Sequence, residues 1–190
     1  MNPIFLYDDG IGKVEYVQHM GDDITIVNSA RVSFGKHKQT IDENDKKLIN
    51  YLVKHRHTST FEHNVVTFRC KVPLFVRSQH HRHRTWSYNE ISRRYTSVDM
   101  AFYSPNKFRT QHKSNRQSSN LDQEIDPVLN SSYLQIGYEN ASDAVRMHHS
   151  RSISLYNAML DAGICREQAR GVLPQNLYTE WYWSGTLMAF

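Results

Sequence analysis

The stretch "NVVTFRCKVPLFVRSQHHRHR", residues 64–84, decides the fold. In residues 64–72, β-branched and aromatic side chains alternate with polar ones, which predicts a strand. Pro73 fits the first turn of a helix, where no backbone donor is needed. We therefore predict a strand and then a helix, with its apolar residues 74–76 turned inward and residues 79–82 in its last turns.

Outside this stretch, apolar periodicity and capping residues predict further elements. These are a strand at residues 13–20, a short helix between Asp22 and Gly35, a helix opened by the capping box "TIDE" at residues 40–43, a helical stretch at 131–162 ended by Gly163, a short helix ended by Pro174, a strand at 176–183 and a helix start at 185–188. The apolar residues expected to be buried on the helices are Leu48, Leu52, Val53, Leu134, Tyr138, Ala141, Val145, Leu155 and Met159. Residues 96–127 are rich in Ser, Asn and Gln, and this composition predicts an irregular segment with a functional role.

The length and composition of the chain are those of an ordinary globular protein. Its 190 residues suffice for one domain with its own core, and no internal repeat or linker divides it. Cys70 and Cys165 are far apart and form no C-x-x-C pair, so we expect reduced, partly buried thiols and neither a disulfide scaffold nor a zinc ribbon. Because there is no apolar run of membrane-spanning length and no signal-peptide pattern, we expect a soluble, cytoplasmic protein.

Positive charge is concentrated in two segments. The formal net charge is only +4, which is too small to identify a nucleic-acid-binding protein. Residues 106–120 hold four cationic residues and no acidic one. Residues 78–95, "SQHHRHRTWSYNEISRRY", hold four arginines and three histidines with a single acidic residue, Glu90. This second segment is suited to a metal ion, a nucleic acid or a small phosphorylated ligand.

The residue types in segment 78–95 weigh against a metal ion. Its histidines, and those at positions 55, 57 and 63, form no H-E-x-x-H pattern, and no cysteine or aspartate accompanies them. Arginines on both sides of His83 would repel a divalent cation. We expect no metal site.

Two interpretations of segment 78–95 stay open on residue types alone. A single-stranded nucleic-acid-binding protein is the alternative, because arginines interleaved with Trp86, Tyr88 and Tyr95 suit phosphates and stacked bases. Against it, the cations are confined to one short segment with Asn89 and Glu90 in its middle. A nucleotide site uses every polar residue type present, since arginine binds phosphate oxygens in a bidentate way and a carboxylate with an amide suits a base or ribose edge.

Residues 82–95, "RHRTWSYNEISRRY", resemble the signature of flavin-dependent thymidylate synthases: R-H-R, seven residues and S, with an internal S-x-N-E-x-S-x-R-Y. Residues 57–84, 102–119 and 166–185 are similar to the family as well, so the resemblance covers most of the chain from about residue 30. The cysteines agree with a flavin route, because neither lies in a polar motif suited to a nucleophile, and hydride transfer from a flavin needs none.

The resemblance implies an α/β (α+β) fold, with an antiparallel sheet flanked by long helices in a single-domain, oligomeric chain. It implies a homotetramer whose active sites lie between subunits. It also implies conversion of dUMP to dTMP, with FAD as cofactor and with NADPH and methylenetetrahydrofolate as co-substrates. Neither a membrane nor a nucleic acid is an implied partner.

Site residues are implied by the same resemblance. For dUMP they are Gln79, His80, His81 and Arg82, then Glu90, Ile91, Ser92, Arg93 and Arg94 from another subunit, and Arg170. For FAD they are Ser59, Arg82, His83, Arg84 and Glu90, and His57 is implied near the flavin face where folate or nicotinamide stacks. Structural alternatives exist for two of them: a capping box of Ser59 with Glu62, and an ion pair of Arg170 with Glu167.

One catalytic residue is expected outside the chain. In the family, the arginine that would stabilise the anion developing on the uracil ring follows the run "SGTLMAF", residues 184–190. This sequence ends at Phe190. The resemblance therefore implies that the catalytic arginine lies beyond Phe190 and that the chain lacks the family's C-terminal segment.

Overall fold

The computed structural model describes residues 2–131 and 136–190. In chain order its strands are β1 (Ile4–Phe5), β2 (Lys13–Met20), β3 (Val65–Pro73), β4 (Ser87–Glu90), β5 (Phe108–Gln111), β6 (Ser119–Ile125), β7 (Val128–Ser131), β8 (Ile136–Asn140) and β9 (Tyr178–Thr186). The helices are α1 (Asp23–Arg31), α2 (Glu43–Lys54), α3 (Leu74–His80), α4 (Ala141–Asp161) and α5 (Arg166–Ala169). Short 3₁₀ turns lie at Val32–Phe34, Thr58–Phe61, Arg170–Val172 and Leu187–Ala189.

A five-stranded sheet has the order β1-β2-β3-β9-β4. Strand β2 runs antiparallel to β1 and β3, and β4 runs antiparallel to β9. The predicted strand at residues 64–72 is β3, whose β-branched residues favour an extended, partly buried chain. Because β4 is the last strand in this order, the sheet carries residues 87–90 of the signature at its edge.

The described residues form two compact units, and each has its own core. The first unit comprises residues 2–72, 76–91 and 179–190, and the second comprises 73–75, 92–131 and 136–178. In the first unit the buried cluster is Cys70, Val72 and Trp181, with Val14, Phe68, Val76, Tyr88 and Trp183 packed against it. Burial raises the pKa of the Cys70 thiol to about 11, so this cysteine is an apolar core residue and not a thiolate.

Helices α1 and α2 both begin at an aspartate that caps them. The Asp22 carboxylate accepts a hydrogen bond from the Thr25 backbone N–H at 3.1 Å, and the Thr25 hydroxyl accepts one from the Asp22 N–H. Asp42 and Asp45 make the same reciprocal pair at the start of α2. The prediction that the box starts at Thr40 is therefore wrong by two residues. An aspartate carboxylate serves equally well as N-cap, and Asp42 has the extended backbone that a cap requires.

The second unit is built around α4 and α5. Its buried cluster is Tyr156, Ala169, Leu173 and Leu177, with Leu74, Met100, Phe102, Met159, Leu160 and Val172 packed against it. The helix predicted from residue 131 begins only at Ala141, because residues 136–140 form β8, antiparallel to β7. Tyr138 therefore lies in a strand, and Leu134 lies outside the described residues. Gly163 ends the helix as predicted, with the positive φ of +86° that glycine allows.

Apolar periodicity predicted where the helices lie better than it predicted which of their residues are buried. Leu52 and Ala141 are buried as predicted, but Val53, Phe75 and Leu155 are 60%, 41% and 51% exposed. These three were predicted to be buried, and that prediction is wrong. Periodicity places a residue on an apolar stripe, but the neighbouring elements decide how much of the stripe they cover.

Three further local predictions need correction. Residues 96–127 contain the hairpin of β5 and β6 and are not irregular throughout. Gly185 belongs to β9, and only the 3₁₀ turn Leu187–Ala189 follows it, so the predicted helix start at 185–188 is wrong. Cys165 is exposed, not partly buried.

The architecture confirms the α+β class, with an antiparallel sheet and helices. Within the described ranges, no helix is long and apolar enough to cross a membrane. A single domain, long helices flanking the sheet and an oligomeric state stay predictions.

Candidate functional site

The signature segment runs from the end of α3 into β4. Helix α3 ends at His80, a turn follows, and β4 then carries residues 87–90. Along β4, Tyr88 and Glu90 are half-buried while their neighbours are exposed, because alternate side chains of a strand share a face. The first unit ends at Ile91 and the second resumes at Ser92, so the predicted site residues fall into two sets.

Glu90 has the most elaborate contacts of the predicted site residues. Its Oε2 accepts hydrogen bonds from both Nε and Nη2 of Arg77, with a distance of 2.9 Å from Nε. Its Oε1 accepts one from the buried Thr179 hydroxyl at 2.7 Å. The carboxylate is thus held at both oxygens by side chains of the first unit.

Neither Arg77 nor Thr179 was predicted from the sequence as a site residue. Arg77 lies on α3, 13 residues from Glu90, and Thr179 lies on β9, 89 residues away. The single acidic residue in a cationic segment was a signal that Glu90 has a basic partner, but the segment contains several arginines. For Thr179 the sequence carried no signal, since only the pairing of β4 with β9 brings it near.

His80 is enclosed by all three tryptophans of the chain. Its ring centroid lies 4.6 Å from that of Trp183, 5.4 Å from Trp181 and 6.1 Å from Trp86. Burial lowers the pKa of His80, and the two neighbouring histidines of the segment lower it further. The neutral imidazole is therefore favoured at this position.

His81 also packs on aromatic rings. Its ring centroid lies 4.0 Å from that of Tyr88 and 5.2 Å from Trp181. Burial and the nearby Arg77 lower the pKa of His81, while Glu90 acts in the opposite direction. The predicted contact of His80 and His81 with dUMP stays a prediction, and it concerns residues whose ring faces are already packed.

Arg82 and Arg84 differ from their neighbours because their side chains are unengaged. Both are exposed, and neither guanidinium makes a hydrogen bond or ion pair with any described residue. Each guanidinium offers five N–H donors. Gln79 and His83, also predicted as ligand contacts, are exposed on the same segment. The segment therefore presents free donor capacity suited to phosphate oxygens.

In the second unit, Arg93 and Arg94 have different environments. Arg93 is half-buried and donates to the backbone carbonyls of Val98, at 2.6 Å, and Asp99. Burial lowers the pKa of Arg93. Arg94 is exposed, with its guanidinium carbon 5.3 Å from the centre of the Tyr95 ring. Arg93 thus holds its own loop together, whereas Arg94 presents its charge to solvent.

Ser92 and Arg170 are the other predicted dUMP contacts in the second unit. The Ser92 hydroxyl accepts a hydrogen bond from the Arg94 backbone N–H at 3.3 Å. Arg170 is exposed, and its Nε donates to the backbone carbonyl of Glu167 at 3.3 Å. The alternative of an ion pair with Glu167 is therefore wrong, because the contact is with the carbonyl and not with the carboxylate.

His57 and Ser59 lie at the 3₁₀ turn Thr58–Phe61 in the first unit. Both are exposed, and the His57 ring lies 5.9 Å from that of Tyr51. The capping box predicted for Ser59 and Glu62 is absent, because Ser59 lies inside the turn and His57 occupies the cap position. Their predicted roles beside a flavin stay predictions.

In the part of the chain that the structure describes, no group of three or more His, Cys, Asp or Glu side chains is placed to hold a metal ion. A largely apolar cleft of about 840 Å³ in the first unit is lined by residues that include Tyr16, Met20, Phe68 and Phe190. None of the predicted site residues lines this cleft.

Comparison with known proteins agrees with the signature. Residues 15–190 match the family described as Thymidylate synthase complementing protein. A flavin-dependent thymidylate synthase of Thermus thermophilus is 45% identical over 179 residues, which are 93% of this chain and 60% of that relative. One from Kosmotoga olearia is 42% identical over 173 residues, 91% of this chain and 70% of the relative.

A similar fold is known from solved structures. The UMP/dUMP methylase PolB from Streptomyces cacaoi, bound with 5-Br dUMP, superposes with a TM-score of 0.72 at 31% identity. The match covers 93% of this chain and 74% of PolB. The same methylase bound with 5-Br UMP gives a TM-score of 0.68. This chain spans about 60% of the length of the Thermus relative.

Proposed function

This chain belongs to the flavin-dependent thymidylate synthase family, and we propose that it catalyses the reductive methylation of dUMP to dTMP. Methylenetetrahydrofolate supplies the carbon, NADPH supplies the reducing hydride, and FAD, when bound, relays that hydride. One observation carries the proposal: the signature segment presents two exposed guanidiniums, Arg82 and Arg84, that no described residue engages.

For dUMP, the proposed contacts come from more than one subunit, with residues 90–94 contributed by another subunit than residues 79–82. They are Gln79, His80, His81, Arg82, Glu90, Ile91, Ser92, Arg93, Arg94 and Arg170. Arg94 and Arg170 are exposed, as a group that binds a phosphate must be. The likeness to a methylase bound with 5-Br dUMP supports a pyrimidine nucleotide as substrate. The Arg93 guanidinium donates to a backbone carbonyl of its own loop, so we assign it the role of holding that loop in shape.

For FAD, the proposed contacts are Ser59, Arg82, His83, Arg84 and Glu90, with His57 near the flavin face. The residues present fit this cofactor, because its pyrophosphate is anionic and no residue in ranges 2–131 and 136–190 accepts a hydrogen bond from the guanidinium of Arg82 or Arg84. Guanidinium groups without a protein partner are stabilised by such a ligand. Exposed His57 and Ser59 leave room for a bound group at their turn.

We also propose a homotetramer with shared active sites, formed by a single-domain chain. The first unit exposes large apolar residues, among them Ile4 at 67%, Val32 at 71% and Phe34 at 77%. Exposed apolar surface of this kind favours subunit contact. Light scattering after size-exclusion chromatography measures the mass directly.

The function is tested by purifying the chain and recording its absorbance spectrum. We expect a flavin spectrum, and we expect dUMP to accelerate oxidation of NADPH by the bound flavin. A colourless protein that ignores FAD and dUMP but binds single-stranded DNA would overturn the proposal. That outcome would instead favour the nucleic-acid-binding function considered for segment 78–95.

A further inference from the structure

The contacts of Glu90 leave few acceptor positions open. A carboxylate has two acceptor positions on each oxygen, four in all. Arg77 occupies both positions on Oε2, and Thr179 occupies one on Oε1. No other described residue donates to this carboxylate, so one position remains, on Oε1. The Glu90 side chain is only 19% exposed. It therefore has little freedom to rotate and present Oε2 in place of Oε1.

We propose that Arg77 and Thr179 are positioning residues, which hold Glu90 so that its one free acceptor receives an N–H or O–H group of the bound nucleotide. This inference rests on the proposed function, since it deepens the same dUMP site. It adds two residues that do not touch the ligand but determine what Glu90 can bind.

The local geometry explains why these residue types hold Glu90. Arginine presents its donors in a rigid planar fork, so Nε and Nη2 together fix the position of Oε2, while the Thr179 hydroxyl fixes Oε1. Thr179 lies two residues before Trp181, the residue that pairs with Glu90 in the sheet, and alternate residues of a strand share a face. The Thr179 hydroxyl is buried, so its donor is not shared with solvent.

The arrangement also defines the part of the nucleotide that Glu90 can bind. A carboxylate with one acceptor left attracts a donor and repels an anion. Glu90 therefore binds the base or the sugar, and the phosphate is left to exposed arginines. A neutral amide in place of the carboxylate would relax this division.

The test measures the dUMP dissociation constant by calorimetry in saturating FAD, using the full chain. In Arg77→Met, we expect the Kd to rise about tenfold, the usual effect of losing hydrogen bonds to a charged group. In Arg77→Lys, which keeps the charge without the fork, we expect a rise as well. In Thr179→Val the Kd should rise, and Thr179→Ser should restore it because the hydroxyl returns.

A double-mutant cycle separates positioning from general damage. In a Glu90→Gln background, Arg77→Met should have no further effect on the Kd, because the group that it positions has been replaced. Arg69→Met is the matched control, since Arg69 makes a similar pair with Glu15 at 2.7 Å in the same sheet, and it should leave the Kd unchanged.

The outcomes distinguish the inference from the proposed function. An unchanged dUMP Kd in Arg77→Lys and Thr179→Val, with circular dichroism confirming the fold, would overturn the inference and leave the proposed function standing. Additive effects in the cycle would also overturn it. A chain that carries no substitution and binds no dUMP would overturn both.

Discussion

The rings of His80 and Trp183 lie edge to face, with 4.6 Å between their centroids and an interplanar angle of 84°. The other two tryptophans of the chain lie within 6.1 Å of the same imidazole. The imidazole of His80 therefore lies close to all three indoles of this chain.

Tryptophan fluorescence should report the protonation of His80. Because burial and then His81 and His83 lower the pKa of His80, we expect emission to be constant above the ordinary value of 6.5 and to fall only at more acidic pH. A lowered folded pKa also means that stability is fully present above pH 6.5 and declines as the pH falls below it. Because His81 lies 5.2 Å from Trp181 and His83 lies 5.2 Å from Trp86, the fluorescence decrease should be reduced in His80→Gln and kept in full in His149→Gln. A decrease of the same size in both variants would contradict the assignment.

Replacement of Arg94 should separate the two ligands. In Arg94→Ala, dUMP binding should weaken more than FAD binding, because this exposed guanidinium is assigned to the nucleotide phosphate. Calorimetry with each ligand measures the two effects. Arg116→Ala, at an exposed arginine of the second unit outside the signature, is the matched control and should change neither. An equal loss of affinity for dUMP and FAD in Arg94→Ala would indicate misfolding or a wrong assignment of this arginine.

Gly185 should tolerate no side chain. A Cβ at this position would lie 1.8 Å from Cδ1 of Trp86, so Gly185→Ala forces the indole or the strand to move. We expect a loss of about 1–3 kcal/mol in unfolding free energy, the usual cost of overpacking. Gly171→Ala is the control, because an added Cβ there meets no described residue within 4 Å apart from its neighbours in the chain. Urea unfolding of both variants measures the loss. Equal urea midpoints for Gly185→Ala and Gly171→Ala would contradict the close packing of Trp86 on Gly185.

Asp45 should stabilise the first unit through its charge. Its side chain is fully buried and accepts hydrogen bonds from Lys38 and from Arg31, the latter at 2.5 Å. The Lys38 contact, aided by the Asp42 backbone and Arg31, holds the pKa of Asp45 well below its ordinary value despite burial.

Asp45→Asn should therefore lower the urea midpoint at neutral pH, since it removes the carboxylate that pairs with Arg31 and one of the two carboxylates that pair with Lys38. A depressed folded pKa contributes stability above the unfolded value of 3.8, and this contribution is lost as the pH falls below it. The difference between the two proteins should shrink from about pH 5 to about pH 2. Asp122→Asn, at an exposed position, is the control, and a deficit independent of pH would exclude the charge as its cause.

The local predictions succeeded where neighbouring residues decide the structure. Asp22 caps α1 as predicted, because its partner Thr25 is only three residues away. The strand at residues 13–20 is β2, as its alternation indicates. Residues 136–140 were predicted as helix because their apolar spacing suits one, yet pairing with β7 makes them a strand. Tertiary pairing overrode local periodicity there.

By itself, the sequence determined the Asp22 cap of α1, the strands β2, β3 and β9, the cationic signature at residues 82–95 and, through that signature, the family. Each of these depends on residues close together in the chain. Only the tertiary structure decided that Arg77 and Thr179 hold Glu90, that three tryptophans enclose His80, and that Arg82 and Arg84 remain unengaged by the described residues. The physical reason is that such contacts join separate elements, so they depend on sheet order and register, which local patterns do not encode.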